Sequence, residues 1–164
     1  MQIGLSYCSL DNARLNLETE SKGLSFDEVR SRSRQTWNDM LARIQVEDDN
    51  QANLTKFYTG LYHALLGRGL ASDVNGQYKL NGAGIGQIPV GKDGQPAHQH
   101  YNTDGLWGGF WNLSQLWALA YPDYFTDYIQ SNIDFYKETG WLHDGEAAGT
   151  YTNGVQTNFQ GLLI

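Results

Sequence analysis

A single cysteine, Cys8, stands in the 164 residues, so the chain forms no internal disulfide and offers no thiolate zinc cluster. Charge is sparse as well: 18% of residues are charged, with 11 Lys and Arg against 18 Asp and Glu for a net −7. Binding to phosphate backbones needs clustered cations, so nucleic acid is excluded as a partner. No apolar run approaches the roughly 20 residues that cross a bilayer. Residues 1–10 lack the basic n-region and long apolar stretch of a signal peptide, and composition leaves the compartment open. What is plentiful is aromatic surface, 13% of the chain with 5 Trp and 10 Tyr. Disordered segments lack such density, so the chain is built to pack or to stack.

Hydrophobic patterning gives a mainly α chain of one-domain length. Ile3, Leu5 and Tyr7 alternate with Gly4, Ser6 and Cys8, which predicts a half-buried strand whose partners lie elsewhere. Ser25-Phe26-Asp27-Glu28 has capping-box spacing and predicts a helix to about Ile44. Leu54, Phe57, Tyr58, Leu61, Tyr62 and Leu65 form one helical stripe, capped by Asp49 or Asn50 and closed by Gly67 or Gly69. Residues 67–109 read as a long glycine-rich connection with a turn at Asn75-Gly76. Helices are expected over Phe110–Ala120 and Tyr124–Thr139, the second closed by Gly140. The apolar end Gly161-Leu162-Leu163-Ile164 stops in mid-stripe, and with the lone first strand it predicts an interior piece of a larger protein.

Most motif-like features have plain readings. Gly82-Ala83-Gly84-Ile85-Gly86 lacks the third glycine of a dinucleotide loop and reads as a flexible loop. Asp73-Val74-Asn75-Gly76 opens like a calcium loop but has no closing Glu, so a turn is expected. Asn53-Leu54-Thr55 and Asn112-Leu113-Ser114 match a glycosylation acceptor but fall in predicted helices. His98 and His100 read as solvated loop histidines, since no carboxylate sits beside them at metal-ligand spacing.

The richest segment is Tyr101 to Trp111, where aromatic, amide and carboxylate side chains alternate with glycines at the mouth of a helix. Saccharides bind such surfaces: aromatic faces meet C–H faces while Asp and Asn take hydroxyl hydrogen bonds. Trp107 reads equally as a binding residue, with Asp104 a candidate beside it, or as a core residue of the third helix, and Trp111, its i, i+4 partner, is expected in that core. Trp141-Leu142-His143-Asp144-Gly145-Glu146 is a similar cluster; Asp144 and Glu146 read as solvated loop acids, with a carboxylate pair as the alternative.

The order of these motifs resembles glycoside hydrolase family 92, the calcium-dependent exo-α-mannosidases. Leu5-Ser6-Tyr7 with Asn12-Ala13-Arg14-Leu15-Asn16-Leu17-Glu18 is similar to the end of the family's β-sandwich and the linker after it. Phe57 to Ala64, Ser72 to Tyr78, Leu106-Trp107 through Phe110, and Gly140-Trp141-Leu142 resemble later landmarks in the same order. Trp107-Gly108-Gly109-Phe110-Trp111 departs from the family's Trp-Asp-Thr-Phe-Arg, and Gln156-Thr157-Asn158-Phe159 lacks the family's His.

The resemblance implies residues 1–20 as the end of an N-terminal β-sandwich, 21–48 as a linker helix region, and 49–164 as the start of a catalytic (α/α)6 toroid. It implies an exported protein, extracellular or periplasmic, acting on mannose-containing glycans. Hydrolysis would invert configuration, with an acid and a base carboxyl roughly 6.5–9.5 Å apart. Calcium is the implied cofactor. The acid, the base and the calcium ligands are expected downstream of this chain, so within it the implied site residues are Trp107, Asp104 and Trp141. The alternatives are a non-catalytic carbohydrate-binding relative, or a truncated helical segment without activity of its own.

Overall fold

The computed structural model describes residues 1–66, 69–80, 82, 84–103, 105–142, 145–147, 150–151 and 159–164, with side chains throughout except at 146, 151 and 160. The chain is mainly helical and divides into two compact units, one of Met1–Glu20 with Arg68–Ile164, the other of Ser21–Gly67.

The unit Ser21–Gly67 is a pair of helices, α2 (Phe26–Leu41) and α3 (Gln51–Leu65). The capping box forms as its spacing predicts: the Ser25 side chain accepts from the Glu28 backbone N–H, and the Glu28 carboxylate accepts from the Ser25 backbone. Of the two expected caps for α3, Asn50 serves, accepting from Ala52 N–H. Trp37 packs on Tyr62 with ring centroids 4.6 Å apart, and Tyr58 Oη donates to the Ile44 carbonyl at 3.3 Å. Leu61 is the only residue of these helices that is buried.

In the other unit, α1 (Leu10–Glu20) precedes a β-rich connection, a four-residue turn of helix α4 (Leu106–Gly109), and the pair α5 (Leu113–Ala120) and α6 (Pro122–Thr139). The alternation at residues 3–8 does not become a ladder. No strand pairs with it among the described residues, and Ile3, Leu5 and Tyr7 are exposed; a strand without a partner has no backbone bonds to hold it. Asn75-Gly76 forms the expected turn, with Gly76 at φ 81°. The turn joins a bridge at Ser72 to β1 (Gln77–Lys79), which pairs antiparallel with β2 (Ile85–Gln87). A second hairpin, β3 (Glu146–Ala147) with β4 (Thr150–Tyr151), lies after α6.

Pro122 occupies the first turn of α6, where its missing N–H costs nothing, and Gly140 closes the helix at φ 72°. The core of this unit is aromatic. Trp117, Tyr121 and Tyr128 are fully buried, with Trp117 5.2 Å from Tyr128 and 5.1 Å from Tyr124. Where one helix is expected from Phe110, the chain makes α4, a turn over 110–112, and then α5. A last helical turn, α7 (Phe159–Leu163), packs on α4. No described helix is long and apolar enough to cross a membrane.

Candidate functional site

α4 is too short to be stable alone, and two inward contacts hold it. Leu106 is 1% exposed and Gly109 is buried, so the residues between them face outward. Trp107 is consequently half exposed. At Gly108 an added Cβ would meet no heavy atom within 4 Å, so crowding does not impose glycine there.

Trp111 is not a core residue; it is 70% exposed. An i, i+4 phase holds only within one continuous helix, and the break at 110–112 resets it. The indole instead stands edge-on to Phe110 and to Phe159 of α7, while those two phenyl rings stack 4.7 Å apart.

Trp141 follows Gly140 out of α6 and is also exposed. Its backbone is clipped to Thr139: the Trp141 N–H donates to Thr139 Oγ1 at 3.3 Å, and that hydroxyl donates to the Trp141 carbonyl at 3.1 Å. No ring contact joins Trp107 to Trp141 among the described residues. The two indoles are separate exposed faces. Asp104 lies outside the described residues, as do Asp144 and the stretch 156–158, and so does the side chain of Glu146.

Two buried polar clusters were not expected from the sequence. In the first, the Asp73 carboxylate accepts from Ser6 Oγ, Asn12 Nδ2 and Asn16 Nδ2, each at 2.7 Å. Asn16 Oδ1 returns the contact by accepting from Val74 N–H at 3.0 Å, and Asn16 Nδ2 also donates to the Leu5 carbonyl. Asn12 Nδ2 also donates to Gln77 Oε1, and Asn12 Oδ1 accepts from Asn75 Nδ2. The turn that begins like a calcium loop thus spends its oxygens on amides of α1. Beside it, burial pushes the Cys8 thiol up to about 11, with the Asp73 charge adding to the effect. The signal was the i, i+4 pair Asn12 and Asn16, which puts two amides on one helical face.

The second cluster corrects the reading of the two histidines as solvated. His98 has a side chain 10% exposed and His100 is 4% exposed. A carboxylate does face them, from α6: Asp134 Oδ2 stands 2.6 Å from His98 Nε2. Asp134 lies a whole helix further along the chain, so local spacing could not reveal it. His100 stacks on Tyr78, ring centroids 3.8 Å apart. Among the described residues no group of three His, Cys, Asp or Glu side chains is arranged to hold a metal ion.

The described residues thus present exposed indoles, among them Trp107 on α4 and Trp141 just past the end of α6. The model of the glycosyl hydrolase family 92 catalytic domain matches residues 12–162, and the chain belongs to that family. Among solved structures, a family 92 α-mannosidase of Bacteroides thetaiotaomicron, in complex with mannoimidazole, is similar at 25% identity and TM-score 0.79, over 92% of this chain and 19% of that one. The same enzyme without the ligand aligns at TM-score 0.80. A family 92 inverting mannosidase of the same organism, at 23% identity and TM-score 0.82 over 96% of this chain and 21% of the other, shares the fold. The chain spans about a fifth of the length of these relatives. No curated protein matches it.

Proposed function

We propose that the chain is a segment of an exported α-mannosidase, comprising the end of a β-sandwich, linker helices and the first helices of an (α/α)6 catalytic toroid. The observation that carries this reading is the family match over residues 12–162, with a mannoimidazole-bound relative of the same fold. Trp107, exposed on a short turn whose neighbour Gly108 leaves open space, offers an indole face to a terminal mannose ring. Trp141, exposed after the Gly140 stop of α6, offers a second indole face, and Asp104 is the carboxylate expected to take sugar hydroxyls. The acid and base carboxyls and the calcium ligands belong to other segments of the intact protein, and this segment alone is inactive. Its contribution is to bind and orient the sugar.

The test is an assay of the intact protein on aryl and disaccharide α-mannosides with calcium supplied, following the anomer first released by NMR. Mannose released as the β-anomer is expected, the signature of inversion. A Trp107→Ala variant is expected to raise KM several-fold while the fold is kept. Failure to release mannose from every α-mannoside would sink the reading, and retained saccharide binding without turnover would make the protein a lectin-like relative.

A further inference from the structure

Segment 98–102 is stitched to its neighbours on two sides. On one, the His100 carbonyl accepts from Ala71 N–H at 2.8 Å and the Gly69 carbonyl from Asn102 N–H at 3.1 Å. On the other lies α6, where Asp127 Oδ2 accepts from Gln99 N–H and Ser131 Oγ accepts from Tyr101 N–H, each at 3.0 Å. The two histidine rings fill the space enclosed. His100 lies flat on Tyr78 of β1, 17° between the ring planes, and its Nδ1 has no hydrogen-bond partner among the described residues.

His98 pairs with Asp134 beside this space. Its Nδ1 is 2.8 Å from the Gln99 carbonyl, which only accepts, so Nδ1 carries a proton. The Nε2 facing Asp134 Oδ2 would then set lone pair against lone pair unless a second proton lies there. A proton held between His98 Nε2 and Asp134 Oδ2 relieves this. Asp134 is further engaged by Gln130 Nε2 and Lys137 Nζ on its Oδ1. The remaining acids around the site, Asp127 and Glu138, are on α6 as well; Asp127 holds the Gln99 N–H, and Glu138 acts on Tyr78.

We propose that His100 is a proton-sensitive pin: when its ring takes up a proton in this dry seat, the ring leaves its stack on Tyr78, and segment 98–102 is released from α6 and from residues 69–72. A cation there finds no acceptor at Nδ1 among the described residues, sits beside the His98 ring, and finds Asp134 already engaged by His98, Gln130 and Lys137. Burial pushes the seated ring down to about 4 from 6.5; His98 deepens the effect and Asp134 opposes it. The unseated ring takes its proton first. The pin is therefore at full strength above pH 6.5 and weakens as pH falls toward 4, tenfold per unit and roughly 300-fold in all. The inference does not rest on the mannosidase reading.

The experiment is amide exchange by mass spectrometry on the intact protein between pH 7.5 and 4.5, corrected for intrinsic rates, in peptides covering 69–72 and 98–102. Protection is expected to fall about tenfold per pH unit below 6.5. It is expected to stay flat in His100→Phe, which keeps a ring on Tyr78 but cannot titrate. Should that variant not fold, exchange at the His100 ring carbon in the natural protein gives the midpoint directly, expected below 5. Flat protection in the natural protein, the same fall in His100→Phe, or a midpoint near 6.5 overturns the proposal.

Discussion

Replacing Asp73 by Ala removes the acceptor for Ser6 Oγ, Asn12 Nδ2 and Asn16 Nδ2 at one stroke. Hydrogen bonds to a charged group contribute about 1.5–3 kcal/mol each, and a buried donor left unsatisfied costs about 1–3 kcal/mol. Asn12 and Asn16 are each 7% exposed, so water replaces the lost acceptor poorly; Ser6 is better placed to rehydrate. Against this stands the desolvation of the carboxylate itself, which the variant recovers. The balance is a loss of about 3–5 kcal/mol for Asp73→Ala. Asp73→Asn keeps the shape but turns one accepting oxygen into a donor, and is expected to cost about 2 kcal/mol. Urea denaturation of the intact protein measures the loss, and exchange at Val74 N–H locates it, since that group is held by Asn16 Oδ1. A loss below about 1 kcal/mol for Asp73→Ala, with Val74 still protected, would refute the view that this carboxylate ties α1 to the hairpin.

Three further outcomes are expected. Gly86→Ala would drive a Cβ into the Tyr78 ring, itself stacked on His100, so thermal unfolding should reveal a loss of about 1–3 kcal/mol from overpacking. Ser25→Ala breaks the capping box of α2 and should cost about 1 kcal/mol, seen as lower protection in the first turn of that helix. Cys8, its thiol raised to about 11 from 9.0, stays protonated at pH 8, and its alkylation by iodoacetamide should run about 100-fold slower than that of an ordinary thiol.

What the sequence disclosed was local. The capping box at Ser25, the Pro122 start and Gly140 stop of α6, and the turn at Asn75-Gly76 are each written in a few neighbouring residues, and each forms. The failures have a common cause. Trp111 needed the phase of a helix that breaks before it, and Ile3, Leu5 and Tyr7 needed a partner strand. His98 and His100 are buried by Asp134 and Tyr78, neither of which is a neighbour in the chain. Asn12 and Asn16 meet an acid 61 and 57 residues on. Trp107, which the sequence leaves open between core and surface, is half exposed because the buried Leu106 and Gly109 turn the short α4 inward on either side of it.

The split of the chain into Met1–Glu20 with Arg68–Ile164, and Ser21–Gly67, also governs the order of assembly. While the chain is being synthesised, α1 has no acid to bind until the turn at Asp73 has left the ribosome. By then α2 and α3 are complete, and the contact of Trp37 with Tyr62 between them is available. Closing a span of 57 residues in a loose coil carries an entropic cost that grows with the logarithm of its length. A prefolded helix pair shortens the loose part of that span and lowers the cost. The helices between are thus an intramolecular scaffold for a contact made late, and loosening them should slow the docking of α1 more than it weakens it.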